Sequence, residues 1–215
     1  MGAITEHAGT KIFLAEEWRN LFAKLGAKYD NIVNEKFSEL YDDYSGPHRH
    51  YHSPTHIEYC LLKFGRIRHL CKHPLEVELA LFGHDKYYDV TKKDNELRSA
   101  VWTLKAASDI GWSPRVALYV YNLIWPTDHK ILPKDIGLRQ MTNDIGFVVD
   151  IDLSSLGAPW EVFQKDTDSI AKEYCEGLGI SKEKFDAGKA QFIERFLPPH
   201  RPYIYSTEYF SKKYE

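Results

Sequence analysis

Residues 74–85 read PLEVELALFGHD, an apolar run that ends in a histidine and an aspartate. Pro74 suits the first turn of a helix, and the side chains that follow are apolar at most positions as far as Phe82. A helix that is apolar on most of its surface is buried in the core. The stretch therefore predicts a buried helix whose C-terminal end carries His84 and Asp85.

The position of His84 on this helix indicates a functional site. It follows Leu81 and Ala80 by three and four residues, so it shares their buried side. Asp85 lies about 100° further round, and at a helix end both side chains can still reach one ion. Ionisable groups beside an apolar run are costly to bury unless they are paired or bind a metal.

Two other segments offer side chains of the same chemistry. Residues 48–56 contain four histidines, and Asp150 and Asp152 lie within an otherwise apolar segment. Imidazole nitrogen and carboxylate oxygen together suit borderline divalent metals such as Mn, Fe, Zn, Co or Ni. A metal cage built from three separate elements is one interpretation; buried histidine–aspartate pairs without a metal are the other.

Helix phase separates the candidates within each segment. Ser53 and Pro54 predict a helix start, which places His56 in the first turn and His52 in the preceding loop. His56 is thus the first-choice ligand, and His52 is a substrate contact or an alternate ligand. Asp150 and Asp152 lie about 200° apart on a helix, so only one of them can face a given ion.

The remaining sequence is helical in pattern and contains no convincing strand ladder. Further helices are expected at about residues 12–27 and 30–44, from Asp94 to the Ile110-Gly111 break, from Pro114 to Pro126, around residues 145–149, and at about 159–176 and 181–197. No internal repeat or Gly/Ser-rich linker interrupts the chain. We therefore expect one all-α domain over residues 1–215, with its core at about 10–200.

Composition limits the partners. The formal net charge is −3, with 28 basic and 31 acidic residues, so no nucleic-acid polymer is expected as a partner. The three cysteines contain no CxxC pair, and no segment approaches the roughly 18 apolar residues of a membrane span. The expected location is the cytoplasm, without membrane association, and self-association into a homo-oligomer is left open.

The chain resembles the HD-domain superfamily of metal-dependent phosphohydrolases, and within it a branch of predicted HD phosphohydrolases. The resemblance spans residues 10–210 in five blocks: RHYHSPTH at 49–56, ELALFGHDKYYD at 78–89, DNELRSA at 94–100, DIDLSSLG at 150–157 and RPYIY at 201–205. Members of this branch often continue with a further helical turn, so a shortened C-terminal element is expected here.

The resemblance implies an HD-type helical bundle that hydrolyses a nucleotide or another small phosphate ester. It implies that a divalent cation (Mn, Fe, Co, Ni, Zn or Mg) is held by four side chains, His56, His84, Asp85 and Asp152. It implies a proton acceptor at Glu96 or Asp89, although Glu96 on residue type alone suits the first turn of a helix. The expected substrate-binding residues are Arg49, His52, Lys86, Arg98 and His129.

Two functions from other classes remain alternatives. The same helical cage can hold a di-iron oxygenase site, as in inositol-oxygenase-like relatives. Alternatively, the metal is structural and the chain is a ligand-binding module without turnover.

Overall fold

The computed structural model describes residues 2–27, 30–129, 143–200 and 203–214. All regular elements in these ranges are helical, which confirms the prediction of an all-α fold. The α-helices are α1 (Gly2–Lys24), α2 (Asp30–Tyr44), α3 (Pro54–Ile67), α4 (Pro74–Gly83), α5 (Asn95–Asp109), α6 (Pro114–Ile124), α7 (Asn143–Asp152), α8 (Trp160–Leu178), α9 (Lys182–Glu194) and α10 (Glu208–Tyr214). Short 3-10 turns follow α3, α6 and α7.

Helix α4 is the centre of the fold. It contacts α1, α3, α5, α6 and α7, and every residue from Val77 to Gly83 is buried. The one charged residue in this stretch is Glu78, which accepts a hydrogen bond from the Arg68 guanidinium. Burial raises the pKa of Glu78, although the ion pair with Arg68 acts in the opposite direction. The predicted buried helix is therefore present, and its one buried acidic residue, Glu78, is paired with Arg68.

Trp18 joins three helices in the core. Its indole N–H donates to the carbonyl of Val33 at 2.9 Å, which ties α1 to α2. Its ring meets Phe82 of α4 edge-on, with centroids 5.1 Å apart, and lies 4.6 Å from Phe22. Aromatic pairs in this geometry add to the stability gained from burial. This contact fixes the first two helices against α4.

Helix α7 is anchored by two buried carboxylates. Asp144 accepts the backbone N–H groups of residues 72–73 at 2.8 Å, just before α4. Asp150 accepts those of residues 206–207 at 2.7 Å, just before α10. Buried carboxylates require such partners. The third acidic side chain of the buried part of α7, Asp152, makes no such backbone bond among those the structure describes.

Several helices begin where the sequence patterns indicate, but not all of the expected capping hydrogen bonds are formed. Ser53 and Asp94 precede α3 and α5 as expected, but neither side chain makes a capping hydrogen bond. Ser113 does cap α6, accepting from the Val116 N–H. Helix α1 begins at Gly2 rather than near residue 12, and α10 was not predicted. Arg201 and Pro202 lie outside the described residues.

None of the helices in the described ranges combines the length and apolar character that a membrane crossing requires.

Gly83 permits close packing between α4 and α5 beside His84. A Cβ at this position would overlap the Thr103 side chain, which is buried and donates to the Ser99 carbonyl at 2.8 Å. We expect Gly83→Ala to lower the free energy of unfolding by about 1–3 kcal/mol, because the buried threonine cannot move aside. The measurement is urea denaturation followed by circular dichroism.

Gly188 is the matched control, since it is an exposed glycine within α9 whose added Cβ would meet nothing within 4 Å. Gly188→Ala is expected to raise the free energy of unfolding by about 0.5–1 kcal/mol through helix propensity. A Gly83→Ala protein as stable as the parent would contradict the packing argument.

Candidate metal centre

Four polar side chains from three parts of the chain converge at one place in the structure. They are His56 in the first turn of α3, His84 and Asp85 at the end of α4, and Asp152 at the end of α7. One ligand atom from each lies within 4.8 Å of the other three. The structure thus brings together the four residues that the sequence pattern and the family resemblance nominate as metal ligands.

The shortest distances in the cluster are those between imidazole nitrogens and carboxylate oxygens and the one between the two imidazoles. Nε2 of His84 lies 3.1 Å from Oδ2 of Asp85, and Nε2 of His56 lies 3.3 Å from Oδ1 of Asp152. The two imidazole Nε2 atoms face each other at 3.1 Å. Two neutral nitrogens cannot both donate or both accept across such a contact, so a proton or a cation must stand between them.

The backbone fixes which nitrogen of His84 faces the cluster. Its Nδ1 lies 2.9 Å from the carbonyl oxygen of Leu81, which can only accept a hydrogen bond. Nδ1 therefore carries the proton, and Nε2 is directed at the cluster. Metal-binding histidines are commonly oriented by this kind of bond from the second nitrogen.

The charges in the cluster require a positive partner. Burial disfavours a charged ring at His84, yet Asp85 and Asp152 hold its pKa well above the ordinary value. Burial also opposes ionisation of Asp85 and Asp152, yet His84 and the neighbouring histidines hold the pKa of both carboxyl groups below the usual range. The two largely buried carboxylates thus need a positive partner, which a protonated imidazole or a divalent cation can supply. The two nitrogens and two oxygens suit the borderline metals named from the sequence.

Further bonds hold the acidic ligands in place. His129 donates from Nε2 to Oδ2 of Asp152 at 2.9 Å, leaving Oδ1 to face the histidines. The backbone N–H of Asp85 donates to the Tyr44 hydroxyl at 2.9 Å. His129 was expected to contact substrate; the structure places it against a candidate ligand, where it can orient that ligand and still lie beside the centre.

Arg49 is buried and holds together the two segments that carry ligands. Its guanidinium donates to the backbone carbonyls of His52 at 3.0 Å, Asp85 at 2.6 Å and Lys86 at 2.5 Å. It lies over the Tyr44 ring, 4.9 Å from the centroid. These contacts give Arg49 a supporting role in the centre, and its binding to substrate stays a prediction.

A cavity of about 470 Å³ lies next to the metal centre. Four residues predicted to bind substrate or accept a proton line it together: Arg49, Lys86, Asp89 and Arg98. None of the four candidate ligands is among its lining residues. The structure therefore gathers these predicted residues, but in a neighbouring space rather than around the cluster itself.

The side chains that line this cavity differ in whether they are already paired with other groups of the protein. Lys86 is buried and is paired with Asp43. Arg98 is exposed, with its guanidinium 4.4 Å from the centroid of Tyr87. Asp89 is exposed at its carboxylate and accepts the backbone N–H and hydroxyl of Thr91, which lowers the pKa of Asp89. Of the three predicted cations that line the cavity, Arg49 and Lys86 are buried, and Arg98 is the exposed one that a bound substrate can reach.

Glu96 is half-buried in the first turn of α5. Burial raises the pKa of Tyr174 on α8, and the negative charges of Glu173 and Glu96 raise it further. The Glu96 carboxylate is therefore close enough to α8 to act on Tyr174. Its role as proton acceptor stays a prediction.

His52 stands beside the four-ligand cluster and is not part of it. Its ring stacks on Tyr88 with centroids 3.9 Å apart and lies 5.8 Å from the His56 ring. Nδ1 of His52 is 2.7 Å from Oε2 of Glu173. Burial lowers the pKa of His52, but Glu173 and Asp85 outweigh it and raise the pKa overall.

Several residues of the site gave no recognisable signal in the sequence. Cys60 is buried, and its Sγ lies 3.7 Å from Nε2 of His56. Helix α9 approaches the centre through Phe192, whose ring centroid lies 6.3 Å from that of His129. No local motif marks this contact, because only tertiary packing brings α9 to His129.

Comparison of the chain with family models, with curated proteins and with solved structures gave no match.

We expect His84→Ala or Asp85→Ala to lose bound metal while the helical signal persists. Each substitution removes one of the four candidate metal ligands, so the affinity for metal should fall while the helices remain folded. Elemental analysis of the purified variants measures the metal, and circular dichroism measures the helices. His52→Ala is the matched histidine control and should retain metal; stoichiometric metal in His84→Ala would contradict the assignment.

Metal binding should also stabilise the parent protein, because an ion that binds only the folded chain shifts the unfolding equilibrium. At a metal concentration about 100 times the Kd, the expected gain is about 2.7 kcal/mol, reversed by a chelator. Thermal unfolding with and without Mn²⁺, Zn²⁺ or Co²⁺ tests this. His56→Ala should show no gain, and a parent protein indifferent to every divalent cation would argue against the centre.

Proposed function

We propose that this protein is a divalent-metal-dependent phosphohydrolase that acts on a small phosphate ester. The observation that carries the proposal is the convergence of His56, His84, Asp85 and Asp152 within 4.8 Å. The choice of phosphate chemistry, and of a nucleotide as the substrate, rests on the resemblance to HD-domain phosphohydrolases.

A bound divalent cation would supply two effects at this centre, a lowered pKa of its water and polarisation of a phosphoryl oxygen. The chain's own residues position the components. His129 holds Asp152 from one side, and Arg49 holds the backbone of Asp85 from the other. Because these bonds fix the acidic donors, little rearrangement is needed when substrate arrives.

The neighbouring cavity is the proposed site for the rest of the substrate. Arg98 presents an exposed guanidinium there, a group suited to a second phosphate or a carboxylate. The Tyr87 and Tyr88 side chains line the same space, and aromatic faces can stack a nucleobase. A nucleotide would therefore place its reacting phosphate at the metal centre and its remaining groups toward Arg98.

For the proton of the attacking water we propose Glu96, with Asp89 as the next candidate. A carboxylate near the attacking water accepts its proton in such reactions. Glu96 is half-buried and acts electrostatically on α8, whereas the Asp89 carboxylate is exposed and bonded to Thr91.

The three cysteines are free in the structure, which supports the cytoplasm as the proposed location.

The deciding experiment is a phosphatase screen across nucleotides and other phosphate esters with added Mn²⁺, Co²⁺, Ni²⁺ or Mg²⁺. Metal-dependent release of phosphate that is lost in His84→Ala supports the proposal. Two equivalents of iron with oxygen consumption would instead indicate a di-iron oxygenase. Ligand binding without turnover in the metal-loaded protein would indicate a binding module.

Glu96→Gln tests the proton acceptor. The amide keeps the size and hydrogen bonding of the side chain but cannot accept a proton, so metal should remain bound while kcat falls about 10²–10⁴-fold. Steady-state kinetics on the best substrate measures this, with metal content determined in parallel.

Glu183→Gln is the matched control, because Glu183 is the second residue of α9 as Glu96 is the second residue of α5, and it is exposed. It should leave kcat unchanged. A metal-replete Glu96→Gln protein within a few-fold of the parental rate would remove Glu96 from the mechanism and leave Asp89 to be tested.

A further inference from the structure

Glu173 is a buried carboxylate on α8 that organises the histidine-rich segment before α3. Its Oε1 accepts the backbone N–H groups of His50, Tyr51 and His52 at 2.9, 2.8 and 3.0 Å. Its Oε2 faces Nδ1 of His52 at 2.7 Å. Only 3% of Glu173 is exposed, so these bonds take the place of water around the charge.

This arrangement determines the protonation of one ring nitrogen. An ionised carboxylate can only accept hydrogen bonds, so Nδ1 of His52 carries the proton. The stacked Tyr88 ring and the bond to Glu173 together restrain the imidazole in one orientation. Nε2 is left as the free polar atom of the ring, without a hydrogen bond among the residues that the structure describes.

The His52 ring lies beside the candidate metal centre. The His52 ring is 5.8 Å from that of His56, and the charges of Asp85 and Asp152 act on it. Yet His52 contributes no atom to the group of four donors within 4.8 Å. His52 therefore lies outside the group of four donors but close enough to contact a molecule that is bound there.

We propose that Glu173 is a positioning residue that holds His52 so that its Nε2–H donates to a phosphoryl oxygen of the substrate at the metal centre. The imidazolium ring would then bridge two anions, the buried carboxylate and the phosphate, by charge-assisted hydrogen bonds. The inference rests on the proposed phosphohydrolase function, and it assigns the ligand of His52 as a phosphoryl group.

Glu173→Gln separates this role from a structural one. The amide oxygen can still accept the three backbone N–H groups, so the loop should keep its fold. The amide nitrogen is a donor and cannot accept from Nδ1, so the His52 ring should lose its Nδ1 proton and its charge. The ¹⁵N chemical shifts of the imidazole report this tautomer directly, and a purely structural glutamate would not alter them.

Binding of inorganic phosphate to the metal-loaded protein, measured by calorimetry, is the second readout. Loss of a charge-assisted hydrogen bond should weaken phosphate binding about 10–100-fold in His52→Ala, and about 10-fold in Glu173→Gln, where a neutral donor remains. Metal content should equal that of the parent in both variants.

Glu176→Gln is the matched control. Glu176 lies on the same helix and makes the same kind of pair, 2.7 Å from Nε2 of His50, but its side chain is 56% exposed. This variant should leave both the His52 tautomer and phosphate affinity unchanged.

The outcomes are decisive without turnover. Unchanged phosphate affinity in His52→Ala, or in a Glu173→Gln protein whose tautomer has changed, would overturn the inference. Should Glu173→Gln fail to fold, His52→Ala decides alone, because Glu173 keeps its three backbone bonds in that variant. A parent protein that binds phosphate through His52 but hydrolyses no ester would refute the proposed function and leave the contact standing.

Discussion

The candidate site depends on the burial of α4. This helix packs against five others, and the chain leaves it at His84 with a helical backbone, so two ionisable side chains enter the interior at a fixed place. Charge at such a depth is unstable alone. The carbonyl of Leu81 and the ligands from α3 and α7 compensate it, which makes the centre a consequence of how the core is packed.

Helix α7 shows how three similar carboxylates acquire different tasks. Asp144 and Asp150 bind backbone N–H groups ahead of α4 and α10, and these bonds fix α7 at both ends. With the helix held in this way, Asp152 is presented to His56 and His84. The two carboxylates that bind backbone N–H groups therefore position the third, which is the candidate metal ligand. Removing a partner from a buried carboxylate is costly, so this division is difficult to exchange.

The candidate metal centre and the neighbouring cavity share a wall. Tyr88 and Glu173 line the cavity, and both contact His52, which stands beside the cluster. Arg49 spans the same boundary through the carbonyls of His52 and Asp85. Under the proposed function, a phosphate ester bound across this wall would have the candidate metal ligands on one side and Arg98 on the other, so the proposal favours a substrate with more than one polar end.

The sequence by itself determined the helical fold, the buried end of α4 and the preference for His56 over His52, because each follows from helical periodicity over a few residues. It also determined that Asp150 and Asp152 face different ways; the resemblance named Asp152, and the tertiary structure places that side chain beside the histidines. Glu173 lies 121 residues from His52, and no local pattern connects them. Likewise, Lys86 and Arg98 were predicted to bind substrate, and only the fold shows that both line the cavity beside the cluster. Contacts between distant segments leave no periodic trace in the chain, so the partners of the site residues were decided by packing alone.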